Sequence, residues 1–369
     1  MSSKEGFKLD RRTFLKGAAA AGAVAMAPAV LAKKTRNIKF TLPWLPQGAT
    51  AYAYVAQDQG MFKKRGIEAE VTRGHGSLAA AQSIANKQFD FGLVSASSTI
   101  LSAATGLPLV ALGTTNYEAY LGALVRADSP IKAAKDLVGK RMGGVPSSVE
   151  FPLWEAFALK AGIKPEDVEI VQADPRILER LLVERKVDAS YCVTSSSYAV
   201  AKGLGVETRA MLLSDYGMSF YSNNIVTRPE VLESDPQLCE DVCDALLEGL
   251  AFTARDPQKA ADILLEKQPQ LALSEAGKEN VRLSMGFMLA SLPYPEAMDH
   301  ALGYSDLERV AEMTDLIMQY AAPESAKRPD PEVLFTNRFI GSTTLGASEW
   351  KQVKDYSAAF PAMLSGGAA

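Results

Sequence analysis

The chain has 369 residues, 47% hydrophobic and 22% charged. That is the balance of a soluble globular protein long enough to bury a full core and divide into two compact units. Its 39 basic and 43 acidic residues give a net charge of −4 at pH 7, a poor match for nucleic acid, and its two histidines and three cysteines leave little for a zinc centre.

The N-terminus reads as an export signal. Asp10-Arg11-Arg12-Thr13-Phe14-Leu15-Lys16 precedes an alanine-rich run over 17–32 that ends in AVLA. A basic region, a short apolar region and a small-residue end have that meaning, and the run falls short of the ~20 residues of a spanning helix. The competing reading is an ordinary amphipathic N-terminal helix. Paired arginines before Thr-Phe-Leu-Lys resemble the twin-arginine signal, whose translocase exports folded proteins. Cleavage is expected after Ala32, leaving 34 basic and 41 acidic residues and a net charge of −7. Lys33 and not a cysteine stands directly after that point, so a lipid anchor is not expected; the mature chain should be free in the periplasm, where its acidity favours a soluble monomer.

Strand-like and helix-like segments then alternate. IKFTLPWL is a strand, AYAYVAQDQGMFKKRG a helix closed by Gly66, IEAEVTRG a strand, SLAAAQSIANKQ a helix, FDFGLVSAS a strand, STILSAATG a helix and LPLVALGTT a strand. The pattern restarts with the extended YLGALVRADSP, followed by AAKDLVGKRMGGVPSS, the helix EFPLWEAFALKAGI, the strand VEIVQAD, the helix PRILERLLVERK, the strand VDASYCVTSS and the helix SYAVAKGLG. YSNNIVTRPEVL reads as a returning strand, and from Asp235 the chain is mostly helical.

Such alternation predicts an α/β protein of two lobes, each a mostly parallel sheet flanked by helices, with a helical C-terminal region. The expected division is a signal over 1–32, one lobe over 37–119 plus 220–345, a second over 120–219, and a C-terminal tail over 346–369. Ligands of open parallel sheets sit at the carboxyl ends of strands, here facing a cleft between lobes. Cys239 and Cys243 lie four apart in a helical pattern that suits a disulfide badly; with Cys192 they read as small buried residues.

Candidate binding residues follow from the strand ends. Trp44 closes the first strand and Tyr52 opens the next helix, an indole and a phenol able to wall a flat ligand. Gly74-His75-Gly76-Ser77-Leu78-Ala79 fits the GxGxxA dinucleotide fingerprint. The nearest acidic residue, Asp90, precedes its strand rather than ending it, so Gly76 and Ser77 are read as offering backbone N–H groups to a ligand oxygen. His75 reads equally as a cleft or a solvent-facing residue. Hydroxyl-rich strand ends add Ser95, Ser97, Thr115, Ser147, Ser148 and Thr194, although helix capping alone explains many such residues. Glu150 either serves the helix dipole or faces the cleft. Tyr191 ends a strand of the second lobe, and Asp215 and Tyr216 lie near the second crossing between lobes. Trp154 reads as core.

WLPQGATAYAYVAQDQGMFKKRGIEAEV, RGHGSLAAAQSIANKQFDFGLVSASSTILSAATGLPLVALG, DLVGKRMGGVPSS, KAGIKPEDVEIVQ, VDASY, RPEVLESDPQ and ARDPQKAADIL occur in an order and spacing that resembles the SsuA/THI5-like (NMT1-like) substrate-binding proteins of ABC importers for nitrate, taurine, sulfonates and thiamine precursors. The resemblance covers nearly all of the mature chain. It implies a type II periplasmic binding protein, two lobes joined by two crossing segments, with a permease and an ATPase as partners. Yeast pyrimidine synthases of the superfamily use a histidine after the DFGL-like strand and a cysteine-rich run; here FGLVSASSTILSAATG and LLSDYGMSFYSNN contain neither residue.

The expected function is therefore capture of a small organic solute in an interlobe cleft, with no catalytic residue, metal or cofactor. Aromatic and hydroxyl candidates favour a planar heterocycle such as a pyrimidine precursor of thiamine; the alternative is a sulfonate, taurine or nitrate-type anion on backbone N–H groups. An exported cofactor-dependent oxidoreductase is the rival of another class, and a sensory ligand-binding subunit a third reading.

Overall fold

The computed structural model describes residues 35–365. The signal over 1–32, its cleavage after Ala32 and the last four residues of the expected tail lie outside the described residues. Residues from Arg36 onward form one compact unit that contains two five-stranded sheets.

The first sheet is built from β1 (Arg36–Thr41), β2 (Ile67–Thr72), β3 (Phe91–Ser95), β4 (Val110–Thr114) and β10 (Asn223–Thr227), in the order β2-β1-β3-β10-β4. The second uses β5 (Leu121–Arg126), β6 (Arg141–Gly144), β7 (Glu169–Gln172), β8 (Ala189–Val193) and β9 (Thr208–Leu212), in the order β7-β6-β8-β5-β9. Both follow one plan: the first three strands in the order pair in parallel, and the fourth lies antiparallel to both neighbours. The sheets are thus mixed rather than mostly parallel in pairing. In each, the reversed strand is the one that has just crossed from the other sheet. FGLVS, VALGT and NNIVT are buried throughout, as strands covered on both faces must be.

Two elements differ from the sequence expectation. Thr208–Leu212 is an edge strand that its polar residues conceal. The supposed tail folds into helices Ala347–Ser357 and Phe360–Leu364, whose Trp350, Val353, Phe360 and Leu364 are buried. Phe360 packs edge-on to Phe287 at 5.7 Å, covering the helix Glu275–Ala290.

The chain passes between sheets at 115–120 and 213–222, and Arg309 ties both passages. Its Nη2 donates to the Tyr117 carbonyl and to Ser219 Oγ, both at 2.9 Å, while Nη1 donates to Glu296 at 2.8 Å. The guanidinium lies 4.4 Å from the Tyr221 ring centroid, and Tyr221 donates its hydroxyl to Glu296 at 2.6 Å. Glu296 opens a π-helical turn, Glu296–His300, a geometry frequent at functional positions.

Candidate ligand-binding cleft

A cleft of about 830 Å³ opens between the lobes, within the range of small-molecule sites. Its first wall is the loop after β1. Gly74 N–H donates to the Trp44 carbonyl at 2.9 Å and Gly76 N–H to Pro43 O at 3.0 Å, locking this loop to the next strand-helix turn. Both contacts require glycine: a Cβ at Gly74 would meet Leu42 O at 2.0 Å, and one at Gly76 would meet Ser147 O at 2.3 Å. Gly76 also has φ +121°, which side chains disfavour. With these N–H groups used internally, the turn lacks the open nest of a dinucleotide site. Trp44 is left half-buried on the cleft wall.

The lobes touch at the cleft edges. Ser147 Oγ donates to His75 O at 3.2 Å, and Ser196 Oγ to Gln47 Oε1 at 3.1 Å. The His75 side chain is solvent-exposed and is not part of the wall.

Of the residues singled out from sequence, Trp44, Gly76, Ser77, Ser95 and Ser148 line the cleft. Ser77 Oγ accepts from Ser95 N–H at 2.7 Å, and Ser95 Oγ caps the following helix through Ser98 N–H. The others stand elsewhere. Tyr52 is fully buried beneath the helix Pro236–Arg255, its hydroxyl 2.9 Å from Thr115 Oγ1; Thr115 in turn donates to Asn223 O at 2.9 Å. Burial raises the Tyr52 phenol well above its usual range. Ser97 points into packed helix, and its Oγ has no partner among the described residues. Ser147 is at the lobe contact rather than on the wall. Thr194 Oγ1 donates to Tyr120 O at 2.7 Å. Asp215 accepts from Leu212 N–H at 3.2 Å as a local cap. Tyr216 packs edge-on to Phe157 at 5.1 Å. Tyr191 lies on the opposite face of its sheet, stacked on Phe157 at 5.8 Å and edge-on to Trp154 at 5.6 Å. Trp154 is core, as read, and the three cysteines are free and buried.

Side chains that sequence reasoning missed bring charge to the wall. Glu118 comes from the first crossing, where Oε1 accepts from Tyr120 N–H at 3.1 Å. Tyr120 beside it holds φ +49°, a strained conformation for an aromatic residue. Glu179 accepts from Ser197 Oγ at 2.7 Å. Glu150, left open by the sequence, faces the cleft at 2% exposure and contacts Ser148 Oγ. Burial pushes its carboxyl up to about 7, against the opposing effect of the Ser148 hydrogen bond, and raises Glu118 and Glu179 as well. The cationic side chains among the described lining residues are Arg73 and Arg176. Arg73 is exposed, and Arg176 is 82% exposed and paired with Asp174 at 2.8 Å. The helix Glu275–Ala290 adds Ser284, and the residue capping its C-terminus adds Ser291; Ser284 Oγ accepts from Gly48 N–H at 2.9 Å.

Two family models, two relatives and one solved structure are similar to this chain. The family model described as NMT1/THI5 like matches residues 47–260, and that of the twin-arginine translocation signal matches 8–28. The chain is 25% identical to the riboflavin-binding protein RibY of Chloroflexus aurantiacus over 87% of this chain and 91% of the relative. It is 24% identical to the 4-amino-5-hydroxymethyl-2-methylpyrimidine phosphate synthase THI5 of Saccharomyces cerevisiae over 64% of this chain and 73% of that one. In fold it is similar to the alkanesulfonate-binding protein SsuA of Xanthomonas axonopodis pv. citri, solved with MOPS, at a TM-score of 0.61 and 14% identity, covering 80% of this chain and 98% of the other.

Proposed function

The chain belongs to the NMT1/THI5-like family and is exported to the periplasm by the twin-arginine route, and on that footing we propose that it is the solute-binding component of an ABC importer. Its partners in this role are a permease and an ATPase in the membrane and, during export, the twin-arginine translocase; it works as a monomer that closes on its solute. The solute is a planar nitrogen heterocycle such as a pyrimidine precursor of thiamine, held between the Trp44 wall and the polar residues of the second lobe.

One observation carries this reading: the cleft combines a half-buried indole with three carboxyl groups, Glu118, Glu150 and Glu179, and no buried cation among its described lining residues. A flat ring with N–H groups suits such a wall. A sulfonate or nitrate would enter beside carboxyl groups with its charge unmet. Two relatives point the same way, since riboflavin and the pyrimidine in the yeast enzyme's name are both planar heterocycles.

The yeast relative is an enzyme, yet in this chain FGLVSASSTILSAATG and LLSDYGMSFYSNN hold neither histidine nor cysteine, which supports binding without catalysis. The oxidoreductase alternative loses its main motif, because the Gly74 and Gly76 N–H groups are bonded internally. The test is a thermal-shift screen of mature protein against heterocycles and sulfonates, since a ligand of the native state raises the melting temperature with concentration. Scattering with the best hit should show a smaller radius of gyration. Stabilisation by sulfonates alone, or by no solute at all, refutes the proposal.

A further inference from the structure

Glu150 follows β6 and precedes the short helical turn Phe151–Leu153. Its neighbour Ser148 carries a single hydroxyl hydrogen but stands between two oxygens, Val145 O at 2.6 Å and Glu150 Oε1. If Ser148 donates to the carbonyl, the proton in the second contact comes from the Glu150 carboxyl. In the unliganded cleft Glu150 is then a neutral acid, in keeping with the upward push on its titration. Its other oxygen, Oε2, is buried and has no hydrogen-bond partner among the described residues. Leaving a buried acceptor unmet is unfavourable.

The groups around Glu150 do not relieve this. Glu179 faces it from the helix Leu178–Val183 and Cys192 from β8, with Tyr191 on the other face of that strand; each raises, or has its own titration raised by, the shared negative character. Across the cleft, the Arg73 side chain is exposed, with its Nε donating to Gly74 O at 3.3 Å, and the crossing contributes another carboxyl, Glu118. A solute that brings an N–H group supplies the donor this oxygen lacks, and one that also brings positive charge offsets the carboxyl groups gathered on the wall.

We propose that the cleft selects solutes presenting a positively charged or protonatable nitrogen group to Glu150, and that this carboxyl is the site's polar anchor. The inference rests on the solute-binding role above and narrows it to one charge class. Binding of a permanent cation turns Glu150 from acid to carboxylate, so the proton on Oε1 is released to solvent and a charge-assisted hydrogen bond or ion pair forms at Oε2.

Calorimetry on the mature protein tests it with four probes: thiamine, a permanent cation bearing an aminopyrimidine; 4-amino-5-hydroxymethyl-2-methylpyrimidine; riboflavin, neutral and larger; and taurine, which carries a sulfonate. The two aminopyrimidines should bind tighter than riboflavin and taurine. Glu150→Gln, which keeps the shape of the neutral acid, should weaken thiamine binding by roughly 10- to 100-fold. At pH 6, thiamine binding measured in two buffers of different ionisation heat should release close to one proton in the wild type and none in Glu150→Gln. Should that variant fail to melt cooperatively, proton release by the wild type decides alone. A riboflavin or taurine optimum, thiamine affinity within twofold in Glu150→Gln, or no proton release overturns the charge assignment while leaving a binding protein in place. If neither these probes nor a broad solute panel binds, the solute-binding role itself fails.

Discussion

In the lobe built on β1–β4 and β10, the polar groups on the strand ends and the loops beside them bond one another, Ser77 with Ser95, Tyr52 with Thr115 and Thr115 with Asn223, while the hydroxyls of Ser97 and Ser98, unpartnered among the described residues, are buried in the helix after β3. In the lobe built on β5–β9 the cleft-facing Glu150 Oε2 stays buried without a partner among the described residues, as does the Tyr191 hydroxyl on the far face of that sheet. The strand order is the same in both lobes, so the fold does not dictate this difference. It shows a division of labour across the cleft. The first lobe presents an internally bonded wall with Trp44 on it, and the second presents one unmet acceptor to the cleft, Glu150 Oε2.

The strongest way to break the comparison is to uncouple the lobes. Arg309→Ala removes the cation that holds both crossings and leaves Glu296, 6% exposed, without its ion pair. Losing one partner of such a pair should destabilise the protein by about 3–5 kcal/mol in urea or thermal unfolding, and the unliganded radius of gyration should rise as the passages loosen. A variant as stable as wild type would mean that Arg309 does not clasp the crossings.

The second-lobe carboxyl gives the next largest effect. Glu150 titrates near 4.5 when unfolded and near 7 when folded, so the native state holds the extra proton between those values. Stability therefore falls as pH rises from 4.5 to about 7, by on the order of 3 kcal/mol from this group. Other carboxylates titrate too, so the measure is the difference between wild type and Glu150→Gln: the variant should gain stability relative to wild type across that window. Parallel pH profiles would place the Glu150 titration elsewhere.

Trp44→Ala tests the first lobe. It should weaken binding of an aromatic solute by about 1–3 kcal/mol, the range of base–aromatic stacking, as read by calorimetry, with little change in melting temperature because the indole is only half-buried. Unchanged affinity removes stacking from the account.

The smallest effects come from a matched pair of hydroxyl deletions. Tyr52→Phe loses a made hydrogen bond and should cost about 1 kcal/mol of stability, whereas Tyr191→Phe removes an unmet hydroxyl and should be neutral or slightly stabilising. Equal costs in chemical denaturation would erase the contrast between the lobes.

The sequence by itself determined the export signal, the two rounds of strand-helix alternation and the return to the first sheet, because these are written in short-range periodicity and composition. It also marked the loop bearing Trp44 and Gly76, where a proline-flanked aromatic and two glycines leave a local trace. Only the tertiary structure decided which strand-end side chains meet the cleft. Tyr52 and Tyr191 occupy positions as suitable as Trp44 in sequence, yet one is sealed beneath the helix Pro236–Arg255 and the other turns to the Trp154 face of its sheet. Glu118, Glu179 and Ser284 carry no local signal at all: a crossing, a helix start and a late helix are brought to one wall by contacts between segments far apart in the chain. Alternation along a strand tells which residues share a face, but which face meets the cleft is fixed by the partner that covers the other one.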